Sequence, residues 1–160
     1  MSDTRVRLAW EFLRRGRQLQ MQGQLELAAL LYQRSISLHP TAEAHTLLGL
    51  AYRSQGRVEE AIAECKRAIA VDPALGNPYN EIGACLLDLG RPAEAVGWLE
   101  QAALSPRYET HHFAWHNLGR ALAALEMYNR ALECFDHALD IEPAYAPALE
   151  ARDRIRRLLQ

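Results

Sequence analysis

The sequence predicts an all-α fold, a solenoid of four stacked helix pairs closed by a capping helix. Two observations predict it. First, a Gly–Ala–Pro mark with 12-residue steps recurs as Gly16, Ala28 and Pro40, as Gly49, Ala61 and Pro73, and as Gly119, Ala131 and Pro143. A fourth copy, Gly83, Ala95 and Pro106, falls one residue short at its last step. Successive glycines stand 33, 34 and 36 residues apart, a period that holds two helices per unit and means stacked repeats. Second, bulky residues surround the marks at helical spacing: Leu48, Tyr52, Ile62, Cys65 and Ile69 in the second unit, and Trp115, Leu118, Leu122, Leu132, Phe135 and Leu139 in the fourth. Small and large residues in alternation let antiparallel helices interdigitate.

The first helix pair is predicted over 4–22 and 24–38, the second over 42–55 and 58–71, and the third over 77–89 and 92–104. The fourth is predicted over 110–125 and 128–141, with a ninth helix over 146–159. In each pair the glycine of the mark sits mid-helix, where it costs about 1 kcal/mol against alanine. Such a residue belongs where another helix crosses closely, and the alanine of the second helix reads as the other half of that crossing. The proline then stops the second helix, having no N–H and clashing with the preceding turn. Gly23, Gly56 and Gly90 fall in the turns between paired helices, where a left-handed residue closes a helix without Cβ strain. The fourth unit has Glu126 there, so its turn is expected to be strained by about 1 kcal/mol or shaped differently. Pro78, Pro92 and Pro147 fall near helix starts, where a missing N–H costs nothing. The ninth helix has Asp153 at the glycine place, among Arg152, Arg154, Arg156 and Arg157, while Leu149, Ile155, Leu158 and Leu159 remain to cover the fourth unit. That is a polar-backed cap, at which the array is expected to end.

With these residues in place the chain resembles the tetratricopeptide repeat (TPR) family, whose pattern runs W-x2-L-G-x2-Y, then A-x3-F, then P. The fourth unit carries it as Trp115, Leu118, Gly119, Leu122, Ala131, Phe135 and Pro143. The second has His45, Leu48, Gly49, Tyr52, Ala61, Cys65 and Pro73, and the third Tyr79, Ile82, Gly83, Leu86, Ala95 and Leu99. The first has Phe12, Arg15, Gly16, Leu19, Ala28, Tyr32 and Pro40. The resemblance implies a right-handed superhelix in one domain over 1–160, with repeats at about 9–41, 42–75, 76–109 and 112–145 and the capping helix at 146–160.

The resemblance also implies that the first helix of each pair lines a concave groove. The residues it places there include Leu13, Arg17, Thr46, Leu50, Arg53, Asn80, Leu87, Phe113, His116, Asn117 and Arg120. Asn80 and Asn117 have the chemistry to pair bidentately with a peptide amide. Arg17, Arg53 and Arg120 suit a carboxylate, and Leu13, Leu50, Leu87 and Phe113 supply apolar contact. The two-carboxylate clamp of co-chaperone members is contradicted by Leu47 and Glu81 at places that need Asn and Arg. The lengthened third-to-fourth junction holds Tyr108, His111, His112 and Phe113 between Ser105 and Ala114. Two forms are expected for it: a lip over the groove, or a first helix extended backwards with its aromatics on Trp98 or Leu104. Trp98 itself is read as inter-repeat packing or as an exposed anchor.

The composition bounds the function. A formal net charge of −2 argues against general nucleic-acid affinity. Lys66 is the single lysine, and arginines cluster at both ends of the chain, where they read as solvated helix faces. No apolar run approaches the roughly 20 residues of a membrane span, and the polar start is expected to carry no signal peptide. Cys65, Cys85 and Cys134 have no metal spacing, and Cys65 and Cys85 fall at apolar-periodic places, as buried thiols do. His112 and His116 share a helix face, with Glu109 as a possible third ligand, but no glutamate stands between them in metalloprotease fashion and no thiol is near in sequence, so they read as groove-lining histidines. No phosphate loop or nucleophile elbow is present. The expectation is a cytoplasmic, non-enzymatic protein-binding scaffold or adaptor without cofactor or metal. It takes a protein or peptide partner in the groove and is a monomer or weak homo-oligomer. The alternative is an assembly protein that self-associates through its convex face or end helices.

Overall fold

The structure, a computed structural model, describes residues 2–160. Among these residues there are nine helices: α1 (Ser2–Met21), α2 (Leu25–Leu38), α3 (Ala42–Ser54), α4 (Val58–Val71), α5 (Asn77–Asp88), α6 (Pro92–Ala103), α7 (His111–Ala124), α8 (Tyr128–Ile141) and α9 (Ala146–Leu158). Each helix packs on the next in sequence. The first helices also touch one another, α1 on α3, α3 on α5, α5 on α7 and α7 on α9, whereas α2, α4, α6 and α8 make no such contacts among themselves. Two layers of unequal curvature follow, with the first helices forming the tighter, inner layer. The fold is an all-α helical solenoid.

The steric reason for the marks is sharper than the sequence implied. A Cβ at Gly16, Gly49, Gly83 or Gly119 would come within 3.0 Å of Tyr32, Cys65, Leu99 or Phe135 respectively. The residue that fills the glycine's space is therefore the bulky one four places after the alanine, not the alanine alone. Ala28, Ala61, Ala95 and Ala131 are fully buried beside it. The helix stops also have a local cause. His39, Asp72 and Glu142 end α2, α4 and α8 in extended or near-extended backbone, because the proline that follows each excludes the α region.

The turns inside the pairs are built alike. Gly23, Gly56 and Gly90 have φ of 78°, 78° and 71°, and Glu126 takes the same left-handed region at 61°. In each turn the next N–H reaches back five residues, as Gln24 to Leu19, Arg57 to Tyr52, Arg91 to Leu86 and Met127 to Leu122 at 2.8–2.9 Å. This is a Schellman closure. Of the two outcomes expected at Glu126, the turn keeps its shape and accepts the strain.

The α6–α7 junction takes neither expected form completely. Helix α7 starts at His111, one residue after its predicted start, so the half-turn backward extension is not completed. The segment before it lies along the α4–α5 connection. Leu75 and Arg107 form an isolated parallel bridge, the Gly76 N–H donates to the Arg107 carbonyl at 3.0 Å, and Ser105 Oγ donates to the Ala74 carbonyl at 2.7 Å. Arg107 pairs with Asp72. Tyr108 is buried with Ala102, Ala103 and Ala114, and a Cβ on Gly76 would strike its side chain. Trp98 packs against the core and meets Tyr79 at 6.1 Å between ring centres.

Candidate peptide-binding groove

The inner layer brings most of the expected groove residues onto one concave side, in three different states. At the α1–α3 end, Arg17 reaches across to pair with Glu43. Trp10, Arg14 and Leu13 line a cavity of about 420 Å³ with this pair. Arg17 and Glu43 also border a second cavity of about 540 Å³, whose other walls are Thr46, Asn77 and the junction residues Pro106 to Thr110. The docked junction thus does form a wall of the groove.

In the middle, Arg53 binds Asp88 through Nε at 2.7 Å and stands 3.5 Å from Glu81. Burial raises the Glu81 carboxyl pKa; Arg53 opposes that rise and Asp88 adds to it. Glu81 Oε2 is buried without a hydrogen bond. At the far end the amides form a ladder. Asn117 Nδ2 donates to Asn80 Oδ1 at 3.0 Å, and Arg120 donates to Asn117 Oδ1 at 3.1 Å. Beyond it the rings interlock: Tyr145, the N-cap residue of α9, meets His112, Phe113 and His116 at 5.1, 5.6 and 5.3 Å. Burial, then the charges of Arg120 and His112, push the His116 imidazole down to about 4.

Several expected roles change. Leu13 is a core residue packed with Ala28, Ala29 and Tyr32, not an exposed contact. Thr46 is buried and donates its hydroxyl to the Ala42 carbonyl at 2.7 Å. Asn80 is 5% exposed and accepts from Asn117, whose own oxygen accepts from Arg120, so the two amides engage each other instead of standing open to a peptide. Arg17 and Arg53 already hold internal carboxylates. Leu87 is half-buried against the core, Leu50 is half-exposed and Phe113 is 39% exposed. The sequence reading passed over Trp10, which is 45% exposed. Its signal was present, because it occupies the same place before Gly16 as Phe113 does before Gly119. Tyr145, two residues after the Pro143 that closes the fourth mark, carried no comparable signal.

Two tetratricopeptide repeat family models match the chain, over residues 13–75 and 112–145, together more than half of it. The chain belongs to the tetratricopeptide repeat family. Among curated proteins, this TPR chain is 33% identical to human tetratricopeptide repeat protein 7A over 131 residues, 80% of the chain and 15% of that protein. It is 31% identical over 86 residues to the TPR repeat-containing thioredoxin TTL4 of Arabidopsis thaliana, covering 53% of the chain and 13% of that protein. The TPR chain thus spans well under a fifth of these relatives' lengths. Its fold is similar to that of pilF from Pseudomonas aeruginosa, with TM-score 0.88, 20% identity and coverage of 95% and 69% of the two chains. It is also similar to the first TPR of Spaghetti bound to an HSP90 peptide, with TM-score 0.69, 22% identity and coverage of 74% and 92%. As a TPR fold it is a protein-interaction module in general character. Among its described residues no helix is long and apolar enough to cross a membrane.

Proposed function

We propose that this chain binds a peptide segment or helix of a partner protein along the inner layer, as an adaptor or scaffold without a catalytic role of its own. The observation that carries the reading is the pair of adjoining cavities between Trp10 and the Pro106–Thr110 wall, sharing Arg17 and Glu43. A packed solenoid holds these side chains in place before the ligand arrives, so little receptor entropy is lost on binding. The HSP90 peptide carried by the Spaghetti TPR lends general support to a peptide ligand. Three free, buried cysteines, Cys65, Cys85 and Cys134, support a reducing compartment such as the cytoplasm.

A second reading, self-association through the outer layer, is favoured by one feature. Gly97 has no atom within 4 Å of where its Cβ would stand, and Leu104 beside it is 77% exposed. One experiment separates the two. Peptides are selected from a random display library on the full chain, and then offered to two variants. Trp10→Ala with Arg17→Ala, which alters the lining of both cavities, is expected to lose the selected peptides, while Gly97→Glu with Leu104→Ser keeps them. Peptides that ignore the groove pair reject the groove reading. Light scattering on the same proteins reads self-association, which the second variant alone is expected to abolish if the outer layer mediates it.

A further inference from the structure

The two layers differ in charge. The inner helices α1, α3, α5, α7 and α9 carry eleven arginines against seven carboxylates, whereas the outer helices carry four basic residues against nine acidic ones. The inner excess is concentrated at the groove's ends, and at the α1 end it meets an exposed aromatic. Arg7 and Arg14 stand one turn to either side of Trp10 on α1 and line the same cavity of about 420 Å³. Both are exposed, and neither enters an ion pair among the described residues. Arg17, a further turn along, is held by Glu43 from α3.

We infer that this end of the groove receives an acidic, apolar peptide stretch of the partner, with carboxylates on Arg7 and Arg14 and an apolar side chain on Trp10. Glu43 occupies Arg17 as an internal competitor that an incoming carboxylate displaces. The inference rests on the peptide-binding reading above and names the chemistry of the ligand. A guanidinium donates two parallel N–H bonds to a carboxylate in one plane, and an indole beside it supplies the apolar contact that anchors an interface. The occupant is a peptide rather than a uniform polyanion. Glu11 and Glu43 line the same cavity and repel a surface that is negative throughout, whereas a peptide sets its carboxylates apart. Arg17–Glu43 is an exposed pair, with side chains 52% and 37% accessible, so exchanging its acid costs little.

The test uses the full chain and a dye-labelled, end-capped helical peptide of glutamate and leucine, read by fluorescence anisotropy. Peptides with glutamine or lysine in place of glutamate serve as comparisons. The glutamate peptide is expected to bind most tightly and to weaken as salt rises. Arg14→Gln is expected to weaken it about threefold, the loss of one solvent-exposed charge pair. Glu43→Gln is expected to tighten it about threefold by freeing Arg17, a gain that damage to the fold cannot imitate. Equal binding of the glutamine peptide overturns the acid preference while leaving the groove reading in place. No binding of any of the three peptides overturns the preference, and the groove reading then stands or falls on the display selection. Weaker or unchanged binding in Glu43→Gln overturns the competitor role. Tighter binding of single-stranded DNA or phosphatidylserine vesicles, lost in Arg14→Gln, overturns the peptide assignment.

Discussion

At its α1–α3 end the groove is lined by charges over open cavities; at its α7–α9 end it is lined by rings packed on one another. The same motif places supply both. Trp10 corresponds to Phe113, Arg14 to Asn117 and Arg17 to Arg120. What differs is the residue before the next inner helix. At α3 it is Thr41, whose hydroxyl is spent capping the Ala44 N–H at 3.1 Å. At α9 it is Tyr145, whose ring fills the space between His112, Phe113 and His116. A small N-cap leaves the arginines wet and a cavity beside the indole. A large one dries the site and holds a histidine neutral. The lesson is that repeat register places side chains on the groove, but the connector between repeats sets whether they face solvent or each other.

The ring-lined end depends on Phe135, which is fully buried in the space left by Gly119 and also faces His116 at 5.8 Å. Phe135→Ala is expected to cost about 3–5 kcal/mol, the range for truncating a buried aromatic, measured by urea unfolding. A loss below about 1 kcal/mol would show that this end is not held by packing as described.

Tyr145→Ala tests the connector directly. Removing three ring contacts is expected to cost about 1–3 kcal/mol, at about 0.5–1.5 kcal/mol per aromatic pair before partial exposure is allowed for. The more specific readout is His116. In the native chain its pKa of about 4 lies below its ordinary 6.5, so the unfolded state binds more protons than the folded one between these values. The stability His116 contributes is complete above pH 6.5 and is lost as pH falls toward 4. Tyr145→Ala is expected to raise the His116 pKa in an NMR titration and to narrow that window from its acid side. An unmoved pKa would sink the account of the dry end.

Much of the fold was legible because its signals are local. Helix-stopping prolines, left-handed turn glycines and the small-large alternation act within one repeat, and observed helix ends lie within about two residues of those predicted. Glu126 shows the limit of local reasoning in a useful way: the Met127 N–H to Leu122 carbonyl bond holds it in the shape its neighbours' glycines adopt freely. Glu126→Gly is therefore expected to stabilise the chain by about 1 kcal/mol, seen as a rise in melting temperature, with both ends of the groove unchanged. The groove was less legible. Counting from glycine set the face for Leu13, Thr46 and Asn80, but not their depth. The pairing of Asn80 with Asn117 and of Arg17 with Glu43 joins neighbouring repeats, and no signal within a single repeat announces a partner 26 or 37 residues away.

The smallest effect separates the two ends most cleanly. Single substitutions mix lost packing with lost charge, so the comparison calls for two double-mutant cycles. For Phe113 and Tyr145, each cut to alanine, a coupling of about 0.5–1.5 kcal/mol is expected, because edge-on rings in a drier site interact beyond their buried area. For Arg17 and Glu43 the expected coupling is about 0.5 kcal/mol or less, and added salt should reduce it further, since both side chains are wet. Equal couplings at low salt would mean that the charged end is as tightly built as the ring-lined one. Glu43 would then be a fixed structural partner of Arg17, and an incoming carboxylate would have no easy way to replace it.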